Sequence, residues 1–80
     1  MAVCILIPAY NAAATLRQVI EQCLLHQMSV VVVDDGSTDT TVETLQGLAV
    51  TLLRHPRNCG KGAALRTGFA WAVQQGYDAV

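Results

Sequence analysis

The chain is poor in charge. Of its 80 residues only 14% are charged and the net charge is -1, so no basic patch for nucleic acid or an anionic membrane surface is present. Long apolar runs are missing as well. The longest, Val30 to Val33 and the stretch before Pro8, fall far short of the roughly 20 residues needed to cross a bilayer. The apolar start has no basic flank and carries strand-forming Val3 and Ile5, which argues against a signal peptide. Cys4, Cys23 and Cys59 are odd in number and have no CxxC spacing, which fits reduced thiols in the cytoplasm and not a disulfide framework. The expected location is therefore cytoplasmic. At this length the chain is one small domain or part of one, with a thin core.

Strand and helix signals alternate without a linker or repeat. The first strand is expected at Val3 to Ile7, stopped by Pro8, which has no amide hydrogen for a ladder. Leu16, Val19, Ile20, Cys23 and Leu24 then form one apolar stripe at helical spacing. Val30 to Val33 is apolar throughout, as in a parallel strand covered on both faces. After the turn at Gly36, a second helix is expected, capped by Ser37, Thr38 or Asp39 and boxed by Thr40 with Glu43, with Val42 and Leu45 facing the sheet. A third strand is expected at Ala49 to Leu53, and a third helix at Gly62 to Gln75. That helix should bury Leu65, Phe69, Ala72 and Val73 and close at Gly76. A fourth strand opens at Ala79 and Val80. The βαβαβαβ order, with right-handed crossovers, predicts an α/β fold: a Rossmann-like, doubly wound parallel sheet.

Chemistry concentrates at the strand ends. Ile5-Leu6-Ile7 runs into Pro8-Ala9-Tyr10-Asn11, and Val30 to Val33 runs into Asp34-Asp35-Gly36-Ser37-Thr38-Asp39. Ligands of open α/β sheets bind beyond the carboxyl ends of the strands. A carboxylate left buried and unpaired there would be costly, so the acids point to a ligand or ion. Asn58-Cys59-Gly60-Lys61-Gly62 adds a glycine-flanked lysine at a helix start, where the dipole favours an anion. A solvated lysine in a glycine turn is the alternative. A Walker A loop is excluded because Gly62, not Ser or Thr, follows Lys61, and a dinucleotide fingerprint because position 65 is Leu65. His26 and His55 lack metal-ligand spacing and read as surface or loop residues. Asp34 and Asp39 read as turn and capping residues.

The three motifs, in this order and at this spacing, resemble the start of family 2 inverting glycosyltransferases, which include dolichol- and polyprenyl-phosphate sugar synthases. The resemblance covers nearly the whole chain. It implies the N-terminal, nucleotide-binding part of a GT-A fold, with residues 1–80 ending before the family's Asp-x-Asp motif, and transfer from a nucleotide sugar to a polyprenyl phosphate or glycan. Its implied nucleotide contacts are Pro8 and Tyr10 against the base, Asp35 accepting from a base nitrogen, Val33 beside the base, and Lys61 on the diphosphate, shared with Arg57 or Arg66. A half-buried Tyr10 covering the sheet edge is the alternative for that residue. Mg or Mn is expected in the full-length parent, with no metal site and no catalytic residue in this chain. Ala12 stands where such synthases often carry Glu, which leaves UDP and GDP donors both open. The acceptor is unknown; a membrane lipid phosphate would place the parent at the cytoplasmic face of a membrane. The rival readings are a non-catalytic nucleotide-binding module and an inactive structural fragment. An open sheet edge also predicts self-association of the isolated chain.

Overall fold

Residues 2–80 are described by a computed structural model of the chain. The elements run β1 (Cys4–Ala9), α1 (Leu16–Leu25), β2 (Ser29–Asp35), a single 3-10 turn (Glu43–Leu45), β3 (Thr51–His55) and α2 (Lys61–Gln74). The three strands are parallel and lie in the order β1-β2-β3. A further parallel bridge joins Val3 to Ala79, and the Cys4 amide donates to the Ala79 carbonyl at 3.0 Å. The chain thus steps outward from β1 to β3 and then returns to the opposite edge of β1. Reversal of strand order at β1 is the switch point at which open α/β sheets place their ligands.

Alternation along the strands divides the side chains between two faces. On one face Ile5, Ile7 and Ala9 of β1, Val30 and Val32 of β2 and Leu52 of β3 meet Leu16 and Ile20 of α1 and Leu45 of the 3-10 turn. Ile20 is fully buried and Leu16 is nearly so, each contributing about 1.5–3 kcal/mol of transfer free energy. Val19 of the expected stripe instead faces solvent at 50% exposure, so the buried face of α1 is narrower than the periodicity predicted. The opposite face of the sheet carries α2.

Three expected elements are corrected. Pro8 lies inside β1, opposite Val33, and does not end the strand. Among the described residues the outer edge of β1 is bridged only at Val3, so a residue without an amide hydrogen is tolerated there. The second helix shrinks to its one 3-10 turn, with no capping box: Asp39 accepts the Thr41 amide at 2.9 Å, and the chain leaves through Gly47 at φ 81°. The third strand lies two residues later than expected, because its Arg54 and His55 stand in register with Asp34 and Asp35.

In α2 the buried stripe is Ala64, Gly68 and Ala72, while Phe69 and Val73 are 48% and 72% exposed. The large residues do not face the sheet, because the helix lies too close to it. A Cβ at Gly68 would sit 2.2 Å from Leu6 Cδ1, so a side chain at that position is incompatible with the observed approach. Gly68→Ala should therefore destabilise the fold by about 1–3 kcal/mol through overpacking. Gly62→Ala is the control on the same helix, since its new methyl would meet only Arg66 Nη1 at 3.5 Å. It should stabilise by about 0.5–1 kcal/mol through helix propensity. Chemical denaturation of both variants measures the contrast, and equal effects would show that α2 does not depend on close packing at Gly68.

Candidate functional site

The adjacent acids at the end of β2 do different work because neighbouring strand residues point to opposite faces. Asp34 is completely buried on the α1 face; among the described residues its carboxylate makes no hydrogen bond, and its one charge partner is Arg54, with Nε 3.6 Å from Oδ2. It lies within the strand and builds no turn, contrary to expectation. Asp35 points to the α2 face. There Oδ1 accepts the Nδ1 hydrogen of His55 at 2.8 Å and the Cys59 amide at 2.9 Å, and Oδ2 accepts the Gly60 amide at 2.9 Å. These bonds, the His55 bond first, hold the Asp35 carboxyl below its ordinary range. An ionised carboxylate only accepts, which places the ring hydrogen of His55 on Nδ1. The anion at the start of α2 is thus, in part, the protein's own.

The β2 turn fits under the next loop because Gly36 has no side chain. At φ 74° a Cβ there would lie 2.2 Å from the Arg57 carbonyl carbon, backbone that cannot swing aside. A second stitch joins the first two loops. Asn11, at φ 49°, accepts the Thr38 amide at 2.8 Å through Oδ1, its own amide donates to Ser37 Oγ at 3.0 Å, and the Ala12 amide donates to Thr41 Oγ1 at 2.9 Å. Asp39 accepts from the Thr41 amide and hydroxyl and from the Ala13 amide. Its carboxyl is lowered chiefly by the Thr41 hydroxyl. Asp39 is the loop-building residue expected of it.

Above these loops opens a cavity of about 480 Å³ lined by Pro8, Ala9, Tyr10, Asp35, Asn58, Gly60, Lys61 and Ala64. Pro8, Tyr10, Asp35 and Lys61, separated in sequence, therefore share one wall. Val33 does not: its side chain is fully buried and lies outside the lining. Tyr10 is half exposed, leaving its ring available. Lys61 is the first residue of α2, behind Gly60 at φ 96°.

Sequence reasoning missed His55, Thr67, Asn58 and the Cys59 amide. His55 is no loop residue; it ends β3, its side chain is 14% exposed, and Nε2 lies 2.8 Å from Thr67 Oγ1. The available signal was the parallel pairing itself, which sets the end of β3 beside the end of β2. Asp35, His55 and Cys59 bring donor atoms within 4.8 Å of one another. They do not fit Mg or Mn, which take oxygen ligands, whereas two of these three donors are sulfur and nitrogen.

Because Asp35 and Asp39 are both lowered, the unfolded chain binds more protons than the folded one in acid. Their contribution to stability is whole above the unfolded carboxylate pKa of about 4 and is lost as pH falls through it toward the lowered folded values. Thermal unfolding followed from pH 7 downward should show the melting temperature falling in that acid window. Asp39→Asn, which keeps an acceptor for the Thr41 amide, should flatten the dependence. An unaltered acid profile in the variant would show that Asp39 is not a source of it.

Comparison with known proteins agrees with this architecture. Residues 4–77 match glycosyl transferase family 2. A polyprenol monophosphomannose synthase of Mycolicibacterium smegmatis is 32% identical over 92% of this chain and 31% of its own length. A dolichyl-phosphate beta-glucosyltransferase of Trichomonas vaginalis is 30% identical over 78% of this chain and 23% of its own. Among solved structures, a mannosyltransferase from Pyrobaculum calidifontis in complex with GDP-mannose and Mn2+ superposes with a TM-score of 0.67. It is 31% identical, and the match covers 88% of this chain and 24% of that one. The chain thus spans under a third of the length of these relatives. With the family matched over nearly its whole length and its parallel sheet reproduced in that neighbour, this chain belongs to glycosyl transferase family 2.

Proposed function

We propose that this chain forms the nucleotide-binding part of an inverting glycosyltransferase that moves a sugar from a nucleotide-diphospho-sugar to a polyprenyl phosphate or glycan acceptor at the cytoplasmic face of a membrane. One observation carries the reading: Pro8, Tyr10, Asp35 and Lys61 converge on a single cavity beyond the strand ends. Relatives named for dolichyl-phosphate and polyprenol monophosphate chemistry, and a neighbour bound to GDP-mannose and Mn2+, support it. The Tyr10 ring offers a flat apolar surface for a nucleobase. Asp35 Oδ2 carries one internal hydrogen bond, which leaves it capacity to accept from a base N–H. Val33 contributes through the strand behind the pocket wall. The Lys61 ammonium, at the positive end of α2, faces the diphosphate. UDP and GDP are both accommodated in this reading. A divalent cation on the diphosphate would assist its departure as a leaving group; its carboxylates are assigned to parts of the protein outside these residues.

Titration with nucleosides and nucleoside diphosphates tests the assignment. Asp35→Ala should weaken both ligands about tenfold or more, as expected for a lost hydrogen bond to a charged acceptor. Lys61→Ala should weaken the diphosphate more than the nucleoside, and added salt should narrow the gap. Equal losses for both ligands in Lys61→Ala would remove Lys61 from the phosphate site. Unchanged affinity in Asp35→Ala would remove Asp35 from the base pocket.

A further inference from the structure

The Asp35, His55 and Cys59 donors that do not fit Mg or Mn suit a softer ion. We propose that they form a binding site for a borderline-soft divalent cation of the zinc class, and that an ion held there opposes binding of the nucleobase in the neighbouring cavity. A thiolate, an imidazole and a carboxylate are the ligand types of zinc, and here the fold brings Asp35 at the end of β2 to His55 at the end of β3 and Cys59 in the loop four residues further on.

The surroundings are those of a ligand set. A ligating histidine commonly holds a polar partner at its other ring nitrogen, and a ligating carboxylate is itself hydrogen-bonded. His55 Nε2 already lies 2.8 Å from Thr67 Oγ1, and Asp35 is already fixed by the Cys59 and Gly60 amides. With Zn–N near 2.0 Å and Zn–S near 2.3 Å, neighbouring donors of a tetrahedral shell stand roughly 3.3–3.7 Å apart. Asp35 Oδ1 and His55 Nδ1, now at 2.8 Å, must part slightly. The Cys59 sulfur, within 4.8 Å of them, must close in. Cys59 is exposed, and among the described residues its sulfur is otherwise engaged only with the Arg57 carbonyl at 3.3 Å.

Binding balances simply. The ring hydrogen leaves Nδ1 and one is taken up at Nε2, which then donates to Thr67 Oγ1, so the ring stays neutral. The thiol proton passes to solvent as the sulfur becomes a thiolate ligand. The one open position of the tetrahedral shell is filled by water or by a fourth protein donor. Asp35 lines the cavity, and an ion on Oδ1 sets a positive charge beside Oδ2, which repels a base N–H from the oxygen left to accept it. Occupation of the site and occupation of the base pocket therefore oppose one another.

Cobalt titration, with Co2+ as the spectroscopic stand-in for Zn2+, tests the site without reference to nucleotide. The protein should develop a near-ultraviolet thiolate-to-cobalt band that Zn2+ bleaches. Cys59→Ser should abolish the band and Cys23→Ser should keep it, with circular dichroism confirming that both variants are folded. Absence of the band, or its persistence in Cys59→Ser, overturns the site. Competition is read separately with uridine and guanosine, since their diphosphates would chelate zinc themselves. Saturating Zn2+ should raise the apparent Kd of whichever nucleoside binds the metal-free protein by about tenfold or more, and should not do so in Cys59→Ser. A cobalt band accompanied by unchanged nucleoside affinity overturns that opposition. This competition arm alone rests on the base-pocket reading; failure of either nucleoside to bind metal-free protein counts against that reading and leaves the cobalt result to judge the metal site.

Discussion

The Asp35 carboxylate is the tie on which the candidate site depends. It ends β2, yet its hydrogen bonds reach the last residue of β3 and the two amides that precede α2. One side chain therefore sets where the third strand stops, where the second helix starts and how the loop between them lies under the cavity. Charge-assisted hydrogen bonds are the strong ones, and those of Asp35 are sheltered at 4% residue exposure. The same bonds keep the carboxylate ionised and aimed.

Two further contacts turn that tie into a rigid rim. Asn11 binds the loop after β1 to the loop after β2 through backbone amides, and Gly36 lets the turn after β2 lie directly on the backbone at Arg57 and Asn58. The three loops thus form one hydrogen-bonded surface over the strand ends. Beneath it α2 rests on the sheet through Ala64, Gly68 and Ala72, small enough to bring the helix and its positive end close to the strand termini. Tyr10 and Lys61 line the same cavity because β1 and α2 are held at that short distance.

Asp34 shows the cost of the arrangement. Its carboxylate is wholly buried with no hydrogen bond among the described residues, and the exposed Arg54 is its single charge partner there. A buried charge is ordinarily tolerated only when paired. In this fold the pairing comes from register, since Arg54 stands beside Asp34 as His55 stands beside Asp35. Two consecutive acids in β2 are thereby matched by two consecutive cation-forming residues in β3, one pair on each face of the sheet.

The alternation of apolar runs with helical stripes was enough to read a parallel α/β sheet with polar residues gathered at its carboxyl edge. Pro8, Tyr10, Asp35 and Lys61 line one cavity, and each stands at or near the end of an apolar run or the start of a helix; their roles toward a nucleotide came from the resemblance to the family. What the sequence did not disclose is what depends on register and on distance between elements. Which face of the sheet receives Asp34 and which receives Asp35 follows from strand alternation, but their partners follow from pairing with β3, a relation no local pattern contains. The buried face of α2 went to its small residues because packing distance, not side-chain hydrophobicity, chose it. Val33 is fully buried in β2, and its side chain does not reach the cavity lining. His55 looked like an isolated ring, and it became a partner of Asp35 and Thr67 only when the ends of β2 and β3 and the face of α2 were brought to one point.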